Sequence, residues 1–201
     1  MLTRSSYSCK SWKRESGGRV ALKGKVGIHT KGELSLQDLV EQVKAHKRFG
    51  EVGGIGIFLG VTRSSSADGK PVSHLELEAY ERKAEEAMAS ITDDISNRAG
   101  IVDVHIHHVV GKLEVGDLIM AVLVAGKSRK DVFPALIEAV ERTKSSVPIW
   151  KKEFLLSGES YWVSERDRAS YSSYSNHREG MLANAIKYLS GMLLRVFGNS
   201  Y

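Results

Sequence analysis

Gly54-Ile-Gly-Ile-Phe-Leu-Gly-Val61, then Thr62-Arg-Ser-Ser-Ser-Ala-Asp-Gly-Lys70, then His74-Leu-Glu-Leu-Glu-Ala-Tyr80: this stretch decides the fold class. The first segment is apolar apart from its glycines, as a buried strand is, and glycine lets another backbone or a ligand come close. The second is polar and holds an Asp-Gly turn signal. The third alternates apolar and polar residues, as a half-exposed strand does. Two strands therefore follow one another with no helix between them. Strict alternation of strand and helix is broken, which favours an α+β domain with a mixed or mostly antiparallel sheet.

The rest of the chain extends this order in both directions. Residues 81–98 predict a helix with Ala84, Ala87, Met88, Ile91 and Ile95 on one face. Residues 102–108 (VDVHIHH) alternate again, 111–117 read as a turn, and 118–124 are a strongly apolar central strand. A third helix is expected over 128–144, with Val132, Phe133, Leu136, Ile137 and Val140 inward. Pro148 cannot continue it. Short strands over 149–155 and 161–164 flank a turn at Ser157-Gly158. Upstream, 23–29 suggests a strand. Ser35 opens a helix with Asp38 as a capping acid and Leu36, Leu39, Val40 and Val43 as its stripe.

Three regions follow: a basic flexible extension over 1–22, one domain over 23–168, and a polar linker with an amphipathic C-terminal helix over 169–201. The last helix carries Leu182, Ile186, Leu189 and Leu193 on one side. The chain has 201 residues, 42% hydrophobic and 26% charged, which suits a packed core. It has no apolar run long enough to span a membrane and no apolar signal region at its start. The net charge of +5 suits an anionic partner or substrate. No nucleic-acid-binding motif accompanies that charge, so nucleic acid is not the expected partner. The single cysteine, Cys9, rules out disulfides within the chain and points to a cytoplasmic protein.

Several residues could carry chemistry. Lys144 ends the third helix, where a cation also complements the helix dipole. Lys151 and Lys152 are neighbours on a strand, so one faces a cleft if the other faces water, and Glu153 shares the side of Lys151. The plainer reading is a solvated basic edge strand. Arg63 and Arg129 each follow an apolar strand, and Ser128 is a candidate N-cap beside Arg129. Two such loops opening the same way would suit a phosphate. His105, His107 and His108 lack a third ligand at metal-binding spacing, and the solvent-facing side of a half-buried strand accounts for them better. No metal and no cofactor are expected.

Several segments together resemble the catalytic (large) subunit of molybdopterin synthase. They are Phe58-Leu-Gly-Val-Thr-Arg63, Leu75-Glu-Leu-Glu-Ala-Tyr80, His107-His-Val-Val-Gly-Lys-Leu-Glu-Val-Gly-Asp117, the Ser128-Arg129 helix start, and Lys144 followed by Trp150-Lys151-Lys-Glu153. Their order and spacing make the likeness specific. It implies an α/β-hammerhead fold and addition of two sulfurs to cyclic pyranopterin monophosphate, which forms the molybdopterin dithiolene. It implies a small ubiquitin-like partner carrying sulfur as a thiocarboxylate on its C-terminal Gly-Gly tail. It also implies a homodimer of large subunits within a heterotetramer. By the same likeness Lys144 and Lys151 are catalytic. Val61, Thr62, Arg63, Ser128, Arg129, Lys152, Glu153 and Arg166 contact substrate, Arg166 reaching the neighbouring subunit's site. Ser128 departs from the family pattern, where a histidine often stands. The competing reading is a non-catalytic basic α+β module that binds a ubiquitin-like or nucleic-acid partner.

Overall fold

Serine hydroxyls set where two of the three helices begin. In this computed structural model, which describes residues 24–163, Ser35 accepts from the Asp38 amide at 3.2 Å and Ser128 from the Lys130 amide at 3.2 Å. Each satisfies a backbone donor that the first helical turn leaves open. The elements run β1 (Val26–His29), α1 (Leu36–Lys44), β2 (Gly54–Val61), β3 (Val72–Ala79), α2 (Glu81–Ser96), β4 (Ile101–Val109), β5 (Gly111–Glu114), β6 (Leu118–Gly126), α3 (Arg129–Ser146), β7 (Ile149–Leu155) and β8 (Ser160–Trp162).

They form two four-stranded sheets. The first has the order β1-β4-β6-β2, with β1 parallel to β4 and the other pairs antiparallel. The second, β5-β3-β7-β8, is antiparallel throughout. The architecture is the expected mixed α+β. Helices α2 and α3 cover one face of the first sheet, packing Met88, Ile95, Val132 and Ala139 on Val104, Ile106, Val122 and Val124. On the other face α1 seats Leu39 and Val43 against Ala121, Leu123 and Ala125.

Three local expectations need correction. Residues 111–114 are a strand pairing with β3, not part of a turn. All nine residues of β4 are buried, because helices cover both faces of the sheet around it. The alternation there marks polar side chains that lie inside, and His105, His107 and His108 are not solvent-facing; one ring nitrogen of His105 and one of His107 have no hydrogen-bond partner among the described residues. Phe133 and Ile137 are 57% and 61% exposed. The inward face of α3 is Val132, Ala135, Ala139, Val140 and Thr143 with Leu136 packed beside them, so Val132, Leu136 and Val140 face inward as expected and Phe133 and Ile137 do not. The C-terminal helix and Arg166 lie outside the described residues.

Candidate functional site

Strand alternation separates the paired lysines as expected. Lys151 turns to the inner face of the second sheet, where its Nζ lies 2.8 Å from Glu153 Oε1. Lys152 turns outward over the rings of Phe154 and Trp162, at 4.9 and 5.8 Å. Strand β7 is not an edge, since β3 and β8 flank it, so the solvated edge-strand reading fails. Glu153 is buried, and its second oxygen, Oε2, accepts from the Tyr161 hydroxyl at 2.8 Å. Burial raises the Tyr161 pKa, and the Glu153 carboxylate adds to that.

Lys144 sits in the last turn of α3 with its ammonium 5.2 Å from the centre of the Phe58 ring on β2. Lys144 is exposed, and an exposed contact of this kind is worth about 0.5–1 kcal/mol. Where β2 ends, Val61 and Arg63 are exposed while Thr62 is buried. Thr62 is anchored through its backbone, which donates to Asp117 O and accepts from the Gly116 amide, both at 2.9 Å. Its hydroxyl has no partner among the described residues. The loop closes where the Val72 amide donates to Ser64 O at 2.9 Å and Ser65 bridges Pro71.

The second arginine is elsewhere. Strands β2 and β6 are antiparallel, with Val61 beside Leu118 and Gly54 beside Gly126. The Arg63 loop therefore leaves one end of the sheet and Ser128-Arg129 the other, about 24 Å away along the strands. The expectation that the two loops open the same way is wrong within one copy of the chain. Fifteen residues of α3 likewise place Arg129 roughly 22 Å from Lys144. One end thus gathers Val61, Thr62, Arg63, Phe58 and Lys144. The other holds Ser128 and Arg129, where Ser128 donates to Asp131 Oδ2 at 2.7 Å.

The histidines form a separate constellation. His105 Nε2 lies 2.9 Å from Asp103 Oδ2, and Lys25 lies 2.7 Å from the other carboxylate oxygen. Burial would raise the Asp103 pKa, but the hydrogen bonds from His105 and Lys25 and the electrostatic attraction of both side chains hold it at about 2. His107 Nδ1 meets His29 Nε2 at 3.0 Å. Among the described residues no group of three acidic, histidine or cysteine side chains is placed to hold a metal.

Tyr161 and Phe58 were not anticipated as site residues. A hairpin centred on Ser157 pairs position 153 with 161, so the tyrosine could have been found from the turn alone. Phe58 carries no such signal, because its role depends on how α3 crosses β2.

Residues 29–146 match the family model described as MoaE protein. The chain belongs to the MoaE family. Over 147 residues it is 36% identical to the molybdopterin synthase catalytic subunit of Pyrococcus abyssi, covering 73% of this chain and 95% of that one. It is 36% identical over 135 residues to a probable molybdopterin synthase of Haloferax volcanii, covering 66% of this chain but only about half, 51%, of that longer protein. Among solved structures, molybdopterin synthase from Staphylococcus aureus superposes with a TM-score of 0.61 at 30% identity, covering 70% of this chain and 98% of that one. Among the described residues of this MoaE family member, no helix is long and apolar enough to cross a membrane.

Proposed function

We propose that this chain catalyses sulfur transfer in molybdenum cofactor biosynthesis. Small ubiquitin-like partners deliver C-terminal thiocarboxylates in two successive rounds. Each sulfur attacks the cyclic pyranopterin monophosphate skeleton, and water then cleaves its acyl–sulfur bond to release the partner's carboxylate. The two transferred sulfurs form the molybdopterin dithiolene. The domain carrying this activity spans residues 23–168. The observation that carries the reading is Lys151, held by a buried carboxylate on the inner face of the second sheet.

The residues take distinct roles. Arg63, with Val61 and Thr62, binds the anionic substrate at the end of the sheet. Lys151 stabilises the charge that develops as the thiocarboxylate attacks, and Glu153 orients it. Lys144 transfers protons as the cyclic phosphate opens and water leaves. Lys152 adds positive charge on the outer face of the same strand. Residues 23–168 contain no cysteine, so the sulfur has to come from outside the domain.

Ser128 and Arg129 fit the same site only if a second copy supplies them. Their distance from Lys144 within one chain supports a homodimer, with Arg166 serving the neighbouring site in the same way. With one small partner for each copy the assembly is a heterotetramer.

The test is reconstitution. The chain, the thiocarboxylated partner and the cyclic precursor should yield dithiolene product. Lys151→Ala should abolish product while partner binding survives. Near-normal turnover in that variant would sink the assignment. Salt-dependent nucleic-acid binding with no turnover in the unaltered chain would favour a binding module instead.

A further inference from the structure

We propose that Tyr161 is a positioning residue for Lys151, acting through Glu153 and tying the amine to the loop that carries Arg63. The proposal rests on the reading of Lys151 as catalytic. It begins with Glu153, a carboxylate only 5% exposed. A buried carboxylate is tolerated only when its oxygens are engaged. Here each oxygen has one partner at 2.8 Å, Lys151 on Oε1 and the Tyr161 hydroxyl on Oε2. Two donors on two oxygens fix the carboxyl plane, and the plane fixes where the ammonium sits. Without the phenol the carboxylate could rotate or draw Lys151 onto both oxygens.

Strand pairing makes the arrangement specific to this hairpin. Glu153 and Tyr161 are direct partners across β7 and β8, so their side chains share the inner face with Lys151. The phenol also lies beside the Ser66 hydroxyl. Ser66 is buried, and its backbone and hydroxyl both bond to the Lys70 backbone, which sets the shape of the loop. It stands three positions after Arg63. A movement of the phenol would therefore reach both the amine and the arginine loop.

The assembled enzyme with Tyr161→Phe tests this, because phenylalanine keeps the ring and removes only the hydroxyl. The readouts are steady-state turnover across pH and labelling of Lys151 by an amine-reactive reagent across pH, with the labelled peptide identified by mass. Losing the phenol leaves the whole carboxylate charge to the ammonium, so the labelling midpoint should rise by about half a pH unit. Glu153→Gln removes that charge and should move the midpoint the other way. With the amine misplaced, kcat should fall about tenfold in Tyr161→Phe while KM changes less than about twofold. Ser66→Ala is the second variant should Tyr161→Phe fail to fold, and it should shift the midpoint in the same direction by less. Labelling and kcat profiles that match the unaltered enzyme in a folded Tyr161→Phe, or in Ser66→Ala if that is the one that folds, overturn the proposal. A shifted labelling midpoint together with normal turnover in Lys151→Ala would instead keep the coupling and reject the catalytic reading of Lys151.

Discussion

His107 and His108 are buried bases, and their cost appears only in acid. Burial, then repulsion from His29 and His105, pushes the His107 pKa down to about 3; burial pushes that of His108 down to about 4 despite its bond to Val109 O. In an unfolded chain both titrate near 6.5. Between these values the unfolded state takes up protons that the folded state refuses, so stability falls as pH falls. Above about 6.5 both states hold neutral rings and neither histidine contributes to pH dependence. Each pH unit below about 6 should then cost on the order of 1.4 kcal/mol per histidine, until the folded-state values are reached. Urea midpoints at pH 7, 6 and 5 should fall steadily, and His107→Gln should flatten the slope. A midpoint unchanged from pH 7 to 5 would refute the assignment of buried neutral rings. Sequence placed His105 and His107 correctly on one strand face but took that face for solvent. Histidine polarity alone cannot tell an interior ring from an exposed one.

At the scale of elements, the start of α3 is held by backbone contacts. The Gly53 amide donates to Gly126 O at 2.9 Å and the Lys127 amide to Gly100 O at 2.8 Å. A Cβ at Gly53 would collide with the Lys127 carbonyl oxygen. Backbone cannot step aside as a flexible side chain can, so Gly53→Ala should destabilise the fold by about 1–3 kcal/mol. Chemical denaturation would show it, and a loss below about 0.5 kcal/mol would mean that the loop relaxes freely. Because Lys127 precedes Ser128 and Arg129, the variant should also displace that helix start more than the Arg63 loop. The helix caps at Ser35 and Ser128 were legible in the sequence, since capping is a local exchange of one hydroxyl for one amide. The inward stripe of α3 was only partly so. Val132, Leu136 and Val140 were placed, but Phe133 and Ile137 were wrongly counted with them. The small residues Ala135 and Ala139 fill the inward side because α3 lies close on the sheet.

Across the whole molecule, antiparallel pairing of β2 with β6 sends the Arg63 loop and the Arg129 turn to opposite ends. If one active site needs both, each site in a dimer draws on two copies. Two inactive variants should then rescue each other. Mixed Lys151→Ala and Arg129→Ala subunits should recover about a quarter of normal turnover, since half the dimers are mixed and each mixed dimer has one intact site. No recovery on mixing, with mixed dimers confirmed by mass, would place Arg129 and Lys151 in separate roles. The sequence by itself determined the α+β class, the helix starts, the opposite orientation of Lys151 and Lys152, and the absence of cysteine from residues 23–168. These follow from periodicity, capping and composition, which are properties of neighbours along the chain. Only the tertiary structure decided that β4 is covered on both faces, that Phe58 lies under Lys144, that Tyr161 closes on Glu153, and that the two arginines part company. Those depend on strand order and direction, and on which residues far apart in the chain come to share a face.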